Sequence, residues 1–415
     1  MVNLKGMYMK KAVIFLIFLF SFLFVTDVYC CTSAIISGKC TKDGRPLMWK
    51  HRDTGELNNR VEYFKGKKYG FLALVDSPES DVPQAWAGTN SEGFCIMNTA
   101  SYNLKDDDVP SSEMDKEGVL MFKALGECKT LEDFERFLDR HHRPIGVEAN
   151  FGVIDAFGGA AYYEVNNNSW KKLDVNDSKT APQGYLVYTN HSFTGRFNQG
   201  MGYIRYANAR HIIEQHLAEN RLITPEWIFS DLSRSFYHSL LNIDLVKDSM
   251  LVKGSGFFVD QDFIPRKSTS ASIVFAGVLE GENPLNTVMW TILGYPPVSV
   301  AVPLFVKAAE NQPSFMVKGS ESENALMCDM ALRLKENVFP VKRGNGEKYF
   351  NFSLLYNNHG TGYMQAIQSL EKRIFDKSVP FIEKVRDKEY DSAAFEDFYN
   401  DLFAGIEEVY RLLED

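Results

Sequence analysis

The chain lacks the spacings that hold metals or nucleotides. Its six cysteines form no Cys-x-x-Cys pair, and no P-loop, dinucleotide fingerprint or zinc motif occurs. No cofactor and no metal are therefore expected. Positive charge is also in short supply: 45 Lys and Arg stand against 54 Asp and Glu, a net charge of −9. That balance argues against nucleic acid and anionic membrane surfaces as partners. No internal repeat or low-complexity linker interrupts the 415 residues, and apart from the leader there is no apolar run of the roughly 20 residues a membrane span needs. A chain of this length builds its own core, so the scattered Cys40, Cys95, Cys128 and Cys328 need not be staples, although one or two bridges stay open.

What is present begins with the leader. Lys5, Lys10 and Lys11 precede an apolar run from Ala12 to Val25, the pattern of a signal peptide and short for a membrane-spanning helix. Val28 and Cys30 would occupy the −3 and −1 places for cleavage before Cys31. The expectation is a signal peptide over residues 1–30 and a periplasmic or secreted mature chain without stable membrane insertion. Its rivals are an uncleaved anchor and lipidation at Cys30 or Cys31, the latter disfavoured by Asp27 and Tyr29. Removing the leader takes three lysines and one aspartate, which leaves the chain more acidic still.

Cleavage there would leave Cys31 with a free α-amino group. An α-amine has a reference pKa of about 7.7–8.0, so near neutral pH a large share can accept the thiol proton. Nucleophile and base would then sit on one residue. A buried structural cysteine is the plain alternative, but a new terminus opening the apolar run Thr32-Ser33-Ala34-Ile35-Ile36 is an unusual place for one.

After Cys31 the pattern is β-rich, with short runs at 32–37, 47–52, 69–75 and 94–99. Helical spacing follows over 112–126 and 131–139, strands return at 151–155, 160–165 and 185–189, and helices are expected over 204–219 and 225–241. A second β block covers 272–279, 287–293 and 299–302. From Gly360 to Asp415 the pattern predicts two amphipathic helices broken near Val379-Pro380. Batches of strands and helices, rather than regular βαβ units, favour an α+β body of antiparallel sheets with helices outside. The expected organisation is a catalytic domain over 31–359 with a helical C-terminal extension, 360–415, packed on it.

Three polar residues end apolar strands. Asp53 closes Trp49-Lys50-His51-Arg52-Asp53 and could steady the amine, or it could open the turn Asp53-Thr54-Gly55. Asn98 and Asn190 each follow an apolar strand and could aim an N–H at a developing oxyanion, or act as turn residues. His141, His142 and His191 admit a Cys–His dyad, with core or surface histidine as the plainer reading.

Taken in order, Cys31-Thr32-Ser33, Lys50 through Asp53, Gly88-Thr89-Asn90-Ser91-Glu92-Gly93 with Asn98, Asn150 through Asp155 to Glu164, and Tyr188-Thr189-Asn190 resemble the N-terminal-nucleophile amide hydrolases. The similar group comprises choloylglycine hydrolases, penicillin V acylases, acid ceramidase and isopenicillin N acyltransferases, and the resemblance spans about Cys31 to Phe305. It implies a four-layer αββα sandwich, with Cys31 as nucleophile and its amine as base. It further implies that Asp53 orients the terminus, Asn190 donates to the oxyanion and Asn98 occupies the second oxyanion position. Lys50 stands where the family commonly has Arg, and His51 where it has Asn; Arg266, in Pro265-Arg266-Lys267, would match a second family Arg. The implied activity is cleavage of a linear amide C–N bond, or acyl transfer, on a small N-acyl substrate through an acyl-Cys31 intermediate. A processing-activated peptidase and a non-catalytic exported binding or scaffold protein are the alternatives, and the oligomeric state stays open.

Overall fold

The computed structural model describes residues 30–105, 108–248, 255–320 and 322–414. The expected leader lies outside them except for Cys30.

Two antiparallel sheets form the centre. The first has the order β10-β1-β2-β14-β15-β16, built from β1 (Thr32–Ile36), β2 (Leu47–Asp53), β10 (Tyr185–Tyr188), β14 (Thr269–Ala276), β15 (Val288–Leu293) and β16 (Val302–Leu304). The second is a seven-stranded meander of β3 (Asn59–Phe64), β4 (Phe71–Asp76), β5 (Ala87–Asn90), β6 (Cys95–Ala100), β7 (Ala149–Ile154), β8 (Ala160–Val165) and β9 (Trp170–Asp174). Two small ribbons complete the strands, β11 (Tyr237–His238) with β12 (Ile243–Asp244), and β13 (Phe257–Val259) with β17 (Tyr349–Asn351).

The two large sheets pack face to face through β1 against β8 and β2 against β7. Every residue of β1, β2, β7 and β8 is buried, because each of these strands is covered on both faces. Gly152 of β7 permits the close approach: a Cβ there would lie 2.6 Å from Met97 Cε and 3.3 Å from Ile35 Cδ1 of the facing sheet.

Helices cover both outer faces. α1 (Glu117–Glu127) and α2 (Leu131–Arg140) lie on the meander, where Phe134 of α2 packs edge-on against Phe151 and Tyr163. The Thr130 hydroxyl caps α2 by accepting from Asp133 N. The opposite layer holds α3 (Tyr203–Ala218), α4 (Pro225–Trp227), α5 (Leu326–Val338), α6 (Phe352–Leu355), α7 (Tyr363–Val385) and α8 (Ser392–Glu414). The architecture is thus the four-layer αββα sandwich. The C-terminal helices share one hydrophobic core with the six-stranded sheet; Phe375 of α7 stacks on Trp290 of β15 at 4.2 Å.

Two expected helices differ. The one predicted over 225–241 ends after a π turn at Ile228–Leu232. Arg234 is drawn inward there, and its guanidinium meets both Glu371 oxygens at 2.6 and 2.7 Å and the carbonyls of Pro296 and Ser299. The tail breaks not at Pro380 but at Arg386–Asp391, with Asp387 at φ 56°. Pro380 is solvent-exposed, so the helix carbonyl it leaves unpaired can be hydrated. None of the six cysteines is joined in a disulfide.

Arg234 and Glu371 are both buried, so removing one partner strands a charge in the core. Glu371→Ala should cost about 3–5 kcal/mol in urea unfolding, whereas Lys372→Ala, at an exposed i,i+4 pair, should cost less than about 0.5 kcal/mol.

Candidate active site

The antiparallel register gathers four strand ends at one edge of the six-stranded sheet. Thr32 opens β1 opposite His51, Thr269 opens β14 opposite Asp53, and Ser33 pairs with Tyr188 at the close of β10. Cys31 enters at this edge, half-buried, with its thiol 3.8 Å from the carbonyl oxygen of Asp53.

Side-chain alternation splits β2 into two functions. Lys50 and Arg52 face the second sheet. The Lys50 ammonium donates to Asn98 Oδ1 at 2.7 Å and to the Trp86 carbonyl at 2.5 Å, while Arg52 pairs with Asp76 at 2.8 Å. Burial pushes Lys50 down to about 8, partly offset by the nearby Cys31 thiol. His51 and Asp53 face the other way. Asp53 accepts from the Thr269 hydroxyl at 2.6 Å and forms an ion pair with Arg266. Because that hydroxyl spends its proton on Asp53, it accepts from His51 Nε2 at 3.2 Å and from Arg266 N at 2.9 Å. His51 stays neutral, its pKa lowered by burial to about 4.

Arg266 also reaches the Cys30 carbonyl, with Nη2 at 2.5 Å. In the continuous chain this places the Cys30–Cys31 peptide beside the Asp53–Arg266 pair. Asn190 is fully buried; its Nδ2 donates to Ala100 O at 2.9 Å and its Oδ1 accepts from Arg205 Nη2 at 2.9 Å. Arg205 Nη1 donates to the Cys31 carbonyl at 2.6 Å and the Thr32 hydroxyl at 2.8 Å. Burial, then the charge of Arg266, lowers Arg205 to about 10, so it remains cationic at neutral pH.

The segment after Asn190 is held by buried polar groups. Glu164 accepts from Tyr188 Oη and from the amides of Phe193 and Thr194, and Asn150 bonds the His191 carbonyl and the Ser192 hydroxyl. Gly202, at φ 75°, ends this segment at the start of α3; a Cβ there would meet Arg205 Nη2 at 2.3 Å.

Cys31, Lys50, Asp53, Asn98, Asn190 and Arg266 thus come to one edge of the sandwich. They divide into two groups: Lys50 with Asn98 between the sheets, and Arg266 with Asp53 on the helix side. His191 bonds Thr189 and lies tilted against the ring of Tyr203, and His141 bonds Phe137 O at the end of α2. Arg205 and Thr269 were missed by sequence reasoning. Arg205 lies five residues before Arg210 on the same helix, and only the fold separates the buried guanidinium from the half-exposed one.

Residues 43–240 match the family model described as acyl-coenzyme A:6-aminopenicillanic acid acyl-transferase. The match covers a little under half of the chain. Together with the αββα layering it supports the N-terminal-nucleophile amide hydrolase group. The matched span holds Lys50, Asp53, Asn98, Asn190 and Arg205, while Cys31, Arg266 and Thr269 lie outside it. No curated protein matches the sequence. Among solved structures, similarity is found to a conjugated bile acid hydrolase mutant of Clostridium perfringens, at 13% identity and TM-score 0.40 over 66% of this chain and 92% of that one. An N-acylethanolamine-hydrolyzing acid amidase ortholog of Caenorhabditis elegans is similar at 13% identity and TM-score 0.37, over 59% and 92%. Penicillin V acylase of Agrobacterium tumefaciens gives 13%, 0.35, 66% and 86%.

Lys50 gives the site a pH signature. The folded protein releases this proton near pH 8, whereas an unfolded lysine holds it to 10.5. The unfolded chain therefore binds more protons between those values, and this group adds stability as the pH rises through that window. The urea midpoint of the wild type, relative to Lys50→Met, should climb from pH 8 to 10; a constant difference would contradict a buried, shifted Lys50.

Proposed function

We propose that the chain is an exported enzyme whose mature form begins at Cys31 and cleaves or transfers the acyl group of a small N-acyl amide through an acyl-Cys31 intermediate. Arg205, which bonds the carbonyl of the residue that would become the terminus and holds Asn190 beside it, carries this reading. Removing residues 1–30 takes the Cys30 carbonyl from Arg266 and leaves an amine beside the Asp53–Arg266 pair.

In the proposed reaction the amine takes the thiol proton, and the thiolate attacks the amide carbon. Negative charge collects on the substrate oxygen. Asn190 Nδ2 has a second N–H beyond the one given to Ala100, and the Asn98 amide is oriented by Lys50 on its oxygen, so both can face that charge. The ammonium proton passes to the leaving nitrogen as the C–N bond breaks. Attack of water, or of a second amine, on the thioester then frees the acyl group and restores the thiol. The rim of the site supports an apolar acyl group: the anchored segment after Asn190 exposes Phe193, Phe197 and Met201.

The mature protein should give Cys31 as its first residue on N-terminal sequencing, and burst release of amine from a panel of N-acyl amides should vanish in Cys31→Ala. A different or blocked terminus, or an undiminished burst in the variant, would refute the proposal. Asn190→Ala should lower kcat about 10²- to 10³-fold with little change in KM.

A further inference from the structure

On the far side of Asp53 from Cys31, the first strand-pair of β14 is irregular. Thr269 pairs with Asp53 but Ala271 with Arg52, so Ser270 is an extra residue in the ladder. The Ser270 carbonyl is met by Asn59 Nδ2 at 2.8 Å and Gly294 N at 2.7 Å. The Thr269 carbonyl is taken by the ammonium of Lys335, 2.8 Å away, which arrives from α5 in the last quarter of the chain. Lys335 is 4% exposed and forms no ion pair with a carboxylate among the described residues. The ammonium also lies over the face of Tyr295, 5.3 Å from the ring centre.

A lysine buried without a counter-ion is costly, and a neutral side chain of similar length would fill the same space. What it adds here is a charged donor on one carbonyl. That carbonyl belongs to the residue whose hydroxyl holds Asp53 Oδ1 at 2.6 Å. We propose that Lys335 is a positioning residue of the reaction. By fixing the Thr269 carbonyl at the bulge, it locks the Thr269 hydroxyl on Asp53 and so sets the carboxylate that receives the new α-amino group. The proposal rests on the acyl-Cys31 reading and goes beyond it by assigning a residue outside the matched family span.

The groups facing the ammonium are Asp53, Asp260, Lys267, Cys328 and Tyr295. Burial brings Lys335 down to about 7 against the pull of Asp53, Cys328 and Asp260. Its charge therefore changes in the range where an α-amine works, and the reaction should register that change.

The test compares wild type, Lys335→Met, Lys335→Arg and Thr269→Val as mature chains. It follows kcat and KM on one N-acyl amide from pH 5 to 9, together with the rate at which iodoacetamide alkylates Cys31, mapped by mass spectrometry. Lys335→Met should lower kcat on the order of 10- to 100-fold with KM within about two-fold, and displace the pH profile of both kcat and alkylation. Lys335→Arg should restore most of the loss, and Thr269→Val should reproduce it with the lysine intact. A folded Lys335→Met with the wild-type profile overturns the proposal. So does a loss that arginine does not rescue and Thr269→Val does not copy. Should Lys335→Met fail to fold, Thr269→Val with wild-type kcat and profile overturns it alone. Absence of Cys31-dependent turnover in wild type would refute the acyl-Cys31 reading instead, and identical alkylation profiles in all four chains would then refute Lys335.

Discussion

The position of β1 between β10 and β2 is the constraint on which the site depends. Two hydrogen-bonded ladders fix its start, so Cys31 cannot move without breaking register with both neighbours. The same ladders bring Asp53 and Asn190 to that start, because one closes β2 and the other follows β10. Arg205 then ties the two sides, bonding the Cys31 carbonyl and the Asn190 amide with one guanidinium. The fork geometry matters, since a lysine ammonium in its place would be a point charge without the planar spread that spans both partners.

The charges around Cys31 are arranged in two compartments that share a strand. Between the sheets, Lys50 is held by neutral oxygens of Asn98 and Trp86, and burial weakens its hold on its proton. On the helix side, Asp53 is held by Arg266 and Thr269, with His51 neutral beside it. Strand alternation alone produces this separation. A single residue slip in β2 would exchange the compartments, placing the lysine among the helices and the carboxylate between the sheets.

Much of this was legible in the chain. The runs that became β1, β2 and β8 are buried on both faces and β10 nearly so, so they read as continuous strands, and the polar residues closing them were conspicuous for that reason. β3 escaped notice because it is an edge strand whose Arg60 and Glu62 break the apolar pattern. The overextended helix after Pro225 shows tertiary structure overriding local preference: the Arg234–Glu371 contact, across a long stretch of sequence, bends a segment that would otherwise continue. Arg205, Thr269 and Lys335 were invisible for a different reason. Their roles depend on which way a helix or a bulge turns them, and neither spacing nor residue type carries that information.

The clasp between Arg234 and Glu371 bears on the order in which the molecule can be completed. The six-stranded sheet draws its strands from widely separated parts of the sequence, but its outer face is roofed by α7 and α8, which follow all of those strands. Until they arrive, Trp290 lacks Phe375 and a buried guanidinium lacks its carboxylate. A folding chain therefore carries an unroofed sheet until α7 and α8 dock. In that interval the apolar face that will meet Phe375 is open to contact with other unfinished chains, the condition under which aggregation competes with folding.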